Sequence, residues 1–325
     1  MTTVLVSGAS GIVGYGVLRS LRASGRPLRL IGTSIYGDSV APAFCDVFEL
    51  APPTGSDGYM DWLTTTLRKH GTDLIVPGIE IDLYKWIDQV PQITETGAIP
   101  VLNRLDLVRL CKDKWNFYLD LCEAGLECAI PSSLSTDFDT LVGSFGLPFL
   151  LKPRRGFASQ GIVRIQDRET FQSHLATVGP TLMAQPLVGA DDAEFTISAF
   201  CDGAGAFTAL MALKRKLSRE GFTDKAEVVS SDRFVPTLRA LCQRYRPLGP
   251  TNFQLRDTAV GLKLLEINPR ISSSTAIRTA FGYNESAMVL DYYIEQRLPA
   301  QPPICGGRAI RFTDEHIFYD DRIHF

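Results

Sequence analysis

Short apolar runs and amphipathic stretches alternate over the first hundred residues. Residues 3–7 and 28–33 predict two strands, and the stretch between them, from residue 14 to about residue 24, predicts a helix. A further strand is predicted over residues 73–77. Strands that alternate with helices are typical of a parallel sheet, so we predict a Rossmann-like domain at the amino-terminal end.

The apolar pattern changes in the rest of the chain, where pairs of strands are predicted to form hairpins. Residues 148–152 and 162–165 flank a glycine-rich turn. Residues 252–256 and 261–268 flank a polar turn at residues 257–260. The chain is therefore of the α/β class, and its length predicts two or three domains.

The second hairpin carries the side chains that point most clearly to chemistry. Side chains alternate along a strand, so Glu266 and Asn268 share one face while Leu265 and Ile267 point into the core. Gln254 can lie across the hairpin on the same face. A hard cation such as Mg²⁺ takes carboxylate and carboxamide oxygens, with phosphate and water completing its shell. We therefore predict a metal site on this face.

Two segments have the properties of phosphate-binding groups. Arg270 leaves the second hairpin, and its planar fork of donors suits a phosphate that is being transferred. The glycine-rich turn of the first hairpin combines positive charge with small residues whose backbone amides can approach a phosphate closely. Its residues are Lys152, Arg154, Arg155, Gly156, Ser159 and Gly161.

The string Glu-Ile-Asn-Pro-Arg at residues 266–270, followed by a Ser/Thr run and a predicted helix, resembles the ATP-grasp superfamily. The likeness is to the ATP-binding halves of the carbamoyl phosphate synthetase large subunit. It implies that Gln254, Glu266 and Asn268 are ligands of Mg²⁺ or Mn²⁺ and that Arg270 holds the γ-phosphate of ATP. ATP and a divalent cation are therefore the expected cofactors.

Other ATP-grasp motifs occur in the expected order along the chain. The resemblance implies that Lys114, which follows Asp113 at the start of a predicted helix, reaches the nucleotide phosphates. It implies that the glycine-rich turn joins Lys114 there. It also assigns Gln185 and Leu187 to the hinge strand that holds the adenine base.

The ribose hydroxyls are assigned by the resemblance to Glu194. This residue is farther from Gly189 than the family's usual spacing, so Asp191 or Asp192 is left open as the alternative. In related proteins, basic residues between the hinge and the metal strands meet the transferred phosphate or the acceptor carboxylate. The residues assigned to this task are Arg215 and Lys216, with a solvated basic loop as the alternative.

The resemblance implies three consecutive domains. Residues 1–105 form a Rossmann-like domain that precedes the ATP-grasp domain, residues 106–184 form its small lid subdomain, and residues 185–325 form its carboxyl-terminal subdomain with the metal site. Two α+β subdomains are thus expected to clasp ATP. Glu80 and Asp82 follow a strand of the first domain, where they are expected to contact an amine substrate or to lie in a solvated loop.

The expected activity is that of an ADP-producing carboxylate–amine ligase, which activates a carboxylate as an acyl phosphate. Where the synthetase has a histidine and a second arginine for bicarbonate, this chain has Phe222 and Ser273, which disfavours bicarbonate. A carbamoyl phosphate synthetase-like protein acting on bicarbonate stays open as an alternative. So does a nucleotide- or NAD(P)-binding protein without ligase activity, because Gly-x-x-Gly-x-x-Gly occurs over residues 8–14.

Composition narrows the classes of partner. A formal charge of −3 over 325 residues offers no basic excess for nucleic acid. No apolar run approaches the roughly 18 residues of a membrane span, and no signal sequence is recognised. The seven scattered cysteines predict reduced thiols. We expect a cytoplasmic enzyme whose partners are a small carboxylate and an amine, with a homodimer left open.

Overall fold

A computed structural model describes residues 1–156, 161–190 and 192–319 of the chain. The amino-terminal sheet has five parallel strands in the order β3-β2-β1-β4-β5, as the alternation of strands and helices predicts. Its strands are β1 (Thr2–Val6), β2 (Leu28–Ser34), β3 (Val47–Leu50), β4 (Leu74–Val76) and β5 (Ile99–Pro100). The helices that connect them are α1 (Ile12–Arg22), α2 (Tyr59–His70), α3 (Glu80–Ile87) and α4 (Val90–Thr94), with a 3-10 turn at Ala41–Phe44.

The middle of the chain forms a small antiparallel sheet in the order β7-β6-β8. Its strands are β6 (Phe149–Pro153), β7 (Val163–Ile165) and β8 (Leu182–Pro186). The helices of this stretch are α5 (Leu105–Cys111), α6 (Lys114–Glu123), α7 (Phe138–Phe145) and α8 (Arg168–His174), followed by a 3-10 turn at Leu175–Thr177. The first predicted hairpin is therefore β6 and β7.

The last part of the chain forms a six-stranded antiparallel sheet in the order β13-β12-β9-β10-β11-β14. Its strands are β9 (Glu194–Asp202), β10 (Phe207–Leu217), β11 (Thr223–Val229), β12 (Leu248–Thr258), β13 (Gly261–Asn268) and β14 (Arg308–Ile310). The helices are α9 (Val235–Tyr245), α10 (Thr275–Ala280) and α11 (Glu285–Tyr293), with a 3-10 turn at Asp232–Phe234. The predicted second hairpin is β12 and β13.

The two faces of the six-stranded sheet bury different cores. One face, with Met211 and Leu213, packs on α10 and α11 and shares a single apolar cluster with α1 and the parallel sheet. The other face, with Ile197 and Phe253, packs on α9 and also on Leu107 of α5. The polar side chains of the predicted metal site project from the first of these faces, because Gln254 and Phe253 alternate.

The alternative of a solvated basic loop at residues 214–216 is excluded. These residues lie inside β10, because the inward-facing positions of the strand continue through Leu213 to Arg215, whose side chain is buried.

The predicted domain limits stay a prediction. Phe117 and Leu121 of the predicted lid pack with the six-stranded sheet, and β8 continues to Pro186, past the proposed boundary at residue 184. None of the described helices combines the length and the apolar character that a membrane span needs.

Candidate active site

The β12–β13 hairpin sets the three predicted metal ligands on one face. Gln254 pairs with Glu266 and Asn252 pairs with Asn268, so the oxygen-bearing side chains point the same way. The register shifts after Gln254, where one extra residue on β13 forms a bulge. Because of the bulge, Leu264 is buried and Leu265 is only half-buried, which corrects the prediction that Leu265 points into the core.

Each of the three predicted ligands is held by a neighbour. The Nη2 of Arg215 donates to Oε1 of Gln254 at 2.7 Å. The amide nitrogen of Asn268 donates to Oε1 of Glu266 at 3.1 Å, and Oδ1 of Asn268 accepts from Arg270 at 3.4 Å. Within the described ranges no three His, Cys, Asp or Glu side chains come together as a metal site. A cation here would take one carboxylate and two carboxamide oxygens from the protein, a set that suits Mg²⁺ only when phosphate completes its shell.

Lys152 and Glu266 dominate the electrostatics of the same region. Burial lowers the pKa of Lys152 to about 8, although the charge of Glu266 acts in the opposite direction. Burial alone would raise the pKa of Glu266, but the positive charges of Lys152 and Lys114 hold it below its usual value. A half-buried cation of this kind gains a partner when an anion such as a phosphate enters.

The amino-terminal end of α6 is tied to the glycine-rich turn. Asp113 caps the helix by accepting hydrogen bonds from two backbone N–H groups of its first turn. Its carboxylate also pairs with Arg154 at 3.0 Å. Burial alone would raise the pKa of Asp113, but Arg154 and the helix amides lower it. The Nζ of Lys114 donates to the carbonyl oxygen of Gly156 at 2.7 Å. Arg154 is thus a structural link, and Lys114 contacts the turn. The expected contact of Lys114 with nucleotide phosphates stays a prediction.

The turn itself is described only at its edges. Gly156 and Gly161 both have positive φ, 134° and 73°, in the region that favours glycine. Arg155 is largely exposed, 3.3 Å from the Asp113 carboxylate. Ser159, predicted to contact phosphate, lies outside the described residues.

Glu194 is buried between two arginines. Its Oε1 accepts from Nη2 of Arg215 and its Oε2 from Nη2 of Arg256, both at 2.6 Å. Both carboxylate oxygens are therefore already paired, which differs from the free acid expected of a ribose ligand. Asp192 is largely exposed, with an oxygen 3.6 Å from Nζ of Lys214. Asp191 lies outside the described residues.

Four predicted residues from separate segments line one cavity between the three-stranded and six-stranded sheets. They are Lys114, Lys152, Gln185 and Glu266. The Nε2 of Gln185 donates to Oγ of Ser132 at 2.8 Å, which fixes this side chain at the end of β8. Apolar and aromatic side chains complete the wall, as suits a base.

Other predicted residues lie apart from this cavity. Leu187 follows β8 and is partly exposed. Arg215 and Lys216 are consecutive in β10, so their side chains point to opposite faces. Only Arg215 shares the face of Gln254, and Lys216 is exposed. The assignment of Arg215 and Lys216 to the transferred phosphate or the acceptor carboxylate stays a prediction.

Arg270 contacts the parallel-sheet domain. Its Nη2 donates to Oε1 of Glu80 at 2.6 Å, and its Nη1 to the carbonyl oxygen of Ile271 at 3.0 Å. Glu80 is the first residue of α3. Asp82, two residues further along the helix, is buried instead, and it accepts hydrogen bonds from Thr54 and Tyr59. The expectation of a loop at this place is wrong, because the chain forms a helix here.

Arg256 is the residue that the sequence reasoning missed. It lies two positions from Gln254 on the same face of β12 and directly opposite Glu194. The alternation of side chains along β12 would have been enough to find it.

Comparisons with known proteins agree with this geometry. Residues 180–312 match the model of a family described as ATP-grasp in the biosynthetic pathway with Ter operon. The fold is similar to N5-carboxyaminoimidazole synthetase from Staphylococcus aureus, with a TM-score of 0.72 and 16% identity over 93% of this chain and 80% of that chain. The same enzyme complexed with ADP gives a TM-score of 0.71 and 18% identity, over the same shares of the two chains.

A second kind of enzyme shares the fold. The biotin carboxylase domain of 2-oxoglutarate carboxylase from Hydrogenobacter thermophilus, in complex with MgADP, ADP and bicarbonate, has a TM-score of 0.67 and 15% identity. The match covers 92% of this chain and 71% of that chain. Identities this low establish the fold alone. The family model, which matches residues 180–312, and the order of the motifs agree with the fold that these solved enzymes share.

Proposed function

We propose that this protein is an ATP-dependent ligase that activates a carboxylate as an acyl phosphate and joins it to an amine. The observation that carries the proposal is the cavity lined by Lys114, Lys152, Gln185 and Glu266. These four side chains come from four separate parts of the chain, and each has the chemistry that one part of a nucleotide needs. The solved ADP complex of a protein with this fold supports the same use of the cleft.

Lys114 and Lys152 are the groups that would bind the ATP phosphates. Lys152 is half-buried near Glu266, where solvent screens its charge less than at the surface. Its attraction for a phosphate is therefore stronger there. Gln185 and the following residues to Leu187 would hold the base. We assign the ribose to Asp192 in preference to Glu194, because Glu194 is already paired with two arginines.

Glu266, Gln254 and Asn268 are the residues that would hold Mg²⁺. The divalent cation, when bound, spreads the negative charge of the triphosphate. Arg215 keeps Gln254 in place through its 2.7 Å hydrogen bond. We therefore assign Arg215 a positioning role, and we assign Lys216, on the opposite face, no part in phosphate transfer.

The transfer step follows from the charges. A carboxylate oxygen of the acid attacks the γ-phosphorus, the bond to the β–γ bridging oxygen breaks, and ADP leaves. Arg270 would neutralise the transferring phosphoryl group. The amine then attacks the acyl carbon, the amine proton is lost, and inorganic phosphate leaves with its bonding electron pair.

The test is a screen of acids and amines for Mg²⁺-dependent release of ADP. We expect ADP only when a cognate acid and amine are both present, or when hydroxylamine replaces the amine and traps a hydroxamate. Bicarbonate belongs among the acids, since the carboxylase domain of the same fold holds it. Glu266→Gln should abolish turnover, whereas Glu227→Gln, a β11 acid outside the cleft, should not. Binding of ATP without hydroxamate from any acid would contradict the proposal.

A further inference from the structure

The outer edge of the six-stranded sheet is exposed. β14 is the last strand in the order of this sheet, and in the part of the chain that the structure describes it pairs with β11 alone. Ile310 and Phe312 lie on this edge with 68% and 81% of their surfaces exposed. Unpaired backbone groups next to large exposed apolar side chains form a template for pairing with another strand.

The hydrogen bonds to β11 show which residues of the edge point outward. The N–H of Val228 donates to the carbonyl oxygen of Gly307, and the N–H of Arg311 donates to that of Asp224, both at 2.9 Å. Residues along an antiparallel strand bond to the two sides in turn, so the odd-numbered positions from 307 to 311 face β11. The backbone groups of the even-numbered residues therefore point away from the sheet.

The side chains of these even-numbered residues share one face. Ile310 lies opposite Lys225, which is exposed, whereas the neighbouring Ala309 packs against the apolar cluster on the other face. Arg308 and Phe312 are two positions from Ile310 on either side, so they point the same way as Ile310. The predicted metal ligands project from the face of Ala309. The exposed edge is thus turned away from the metal site.

Arg311 holds this end of the chain against the sheet. Its Nε donates to the carbonyl oxygen of Thr223 at 2.6 Å, and its Nη2 donates to that of Ser273 at 2.5 Å. Ile310 and Phe312 flank this anchored residue. A segment that is already fixed loses less conformational entropy when it pairs with a second strand.

The sequence of the edge is complementary to itself in one antiparallel register. With a two-fold axis at residue 311, Arg308 lies opposite Asp314 of the second copy, and Ile310 lies opposite Phe312 of the second copy. Each pair joins outward-pointing residues, so it can exchange two backbone hydrogen bonds. Opposite charges and apolar side chains in directly opposed positions stabilise paired strands. The symmetry supplies both kinds of pair twice.

The neighbouring registers lack this match. An axis at residue 310 places Arg308 opposite Phe312, and an axis at residue 312 places Ile310 opposite Asp314. With the axis at residue 311, Arg308 lies between Glu227 of its own chain and Asp314 of the second copy, so its charge has a carboxylate on each side. The order of charged and apolar residues therefore specifies one pairing.

We propose that this edge is the interface of a homodimer, in which residues 308–314 pair with the same segment of a second copy. The two six-stranded sheets then continue into each other across the axis. The interface lies on an edge and a face that the predicted metal site does not use. The inference therefore goes beyond the proposed ligase function and does not depend on it.

Sedimentation velocity over a range of protein concentrations tests the proposal. We expect a concentration-dependent dimer of the wild type. Arg308→Asp and Asp314→Arg each place like charges opposite each other twice, so each should raise the Kd of the dimer about tenfold or more. Arg239→Asp is the matched control, because it reverses a charge that is exposed on α9, and it should leave the Kd unchanged.

An equimolar mixture of the two charge variants tests the register itself. In the mixed dimer the introduced aspartate faces the introduced arginine, and Arg308 of one chain faces Asp314 of the other. The Kd should therefore return toward the wild-type value. Phe312→Ser removes an exposed apolar side chain from both halves of the interface, so it should also weaken the dimer. This variant decides the matter if a charge variant does not fold.

A wild type that sediments as a monomer at every soluble concentration would show that the edge takes another partner or none, and would overturn the inference. A dimer whose Kd is the same in the two charge variants and in Phe312→Ser would place the interface elsewhere. Failure of the mixed variants to form a heterodimer would contradict the register and with it the proposal.

Discussion

At the scale of single residues, Lys152 offers the most direct control of nucleotide binding. Its pKa of about 8 means that it is protonated below pH 8 and neutral above it. We expect kcat/KM for ATP to fall by about tenfold per pH unit on the alkaline side of pH 8, because this parameter reports the free enzyme. Steady-state ADP release between pH 6.5 and 9.5 measures it.

Lys152→Arg is the matched control for this pH profile, since an arginine stays charged throughout the range. Its profile should lack the alkaline fall near pH 8. The lowered pKa of Lys152 also predicts how the free energy of unfolding changes with pH. The unfolded lysine binds its proton up to a higher pH than the folded one, so the free energy of unfolding should rise with pH from about 8 to about 10. If kcat/KM for ATP still falls above pH 8 in Lys152→Arg, the titration belongs to another group.

The ion pair between Arg270 and Glu80 gives a second prediction at the scale of residues. Glu80→Gln removes the charge that orients Arg270, so we expect kcat for ADP release to fall about tenfold with little change in the Kd of ATP. Asp88→Asn is the control, because Asp88 pairs with Arg109 in an exposed bridge at the end of the same helix. Equal effects of the two variants would show that the Glu80 contact has no special role.

The sequence predicts the face on which a side chain lies where the alternation along a strand is regular. Gln254, Glu266 and Asn268 share a face because side chains two apart on a strand point the same way. The prediction for Leu265 was wrong, because one extra residue on β13 forms a bulge, and a bulge interrupts the regular alternation of side chains. The arginine pairs of Glu194 also escaped prediction, since they depend on the register of three strands.

At the scale of elements, α1 meets α10 through a glycine. A Cβ at Gly16 would lie 3.1 Å from Cγ2 of Thr275, a close contact. Gly16→Ala should therefore lose most or all of the roughly 1 kcal/mol that Ala gains over Gly inside a helix. Gly143 in α7 is the matched control, because nothing lies within 4 Å of its added Cβ. Chemical denaturation should show that Gly143→Ala stabilises the protein more than Gly16→Ala.

The boundaries of elements followed from the sequence where caps and turns are explicit. Asp113 caps α6, and this helix begins where the residue predicts. A basic loop stayed open as the alternative at residues 214–216, because Lys214 and Lys216 are residue types that are common in loops, although both lie on one side of β10. The helix at Glu80 was missed because a predicted cleft loop and a short helix carry similar polar residues.

At the scale of the whole molecule, the parallel sheet and the six-stranded sheet share one apolar cluster, so we expect them to unfold together. Trp86 is buried in the first domain and Trp115 lies in α6, so intrinsic fluorescence reports on both regions. The transitions followed by fluorescence and by circular dichroism should coincide. Two separate transitions would contradict the shared core. Sequence patterns cannot reveal this shared apolar cluster, because contacts between distant segments leave no local pattern in the sequence.

A buried ion pair supports that core. Arg278 and Glu285 are both fully buried, and Arg278 also donates to Asn252 at 2.7 Å and to Thr196 at 2.9 Å. Arg278→Met leaves Glu285 buried without its partner, so it should lower the free energy of unfolding by about 3–5 kcal/mol. In urea titrations the double variant with Glu285→Gln should lose less than the sum of the two single variants. Strict additivity would show that the two groups do not interact.

The proposed ligase activity depends most on formation of an acyl phosphate in the cleft between the two antiparallel sheets. The most direct measurement uses an acid that the screen identifies, labelled with ¹⁸O in both carboxylate oxygens, and follows the label by mass spectrometry. Attack of the carboxylate on the γ-phosphorus predicts one ¹⁸O in each inorganic phosphate released, and one in the amide. Phosphate that carries no ¹⁸O while product accumulates would contradict the account.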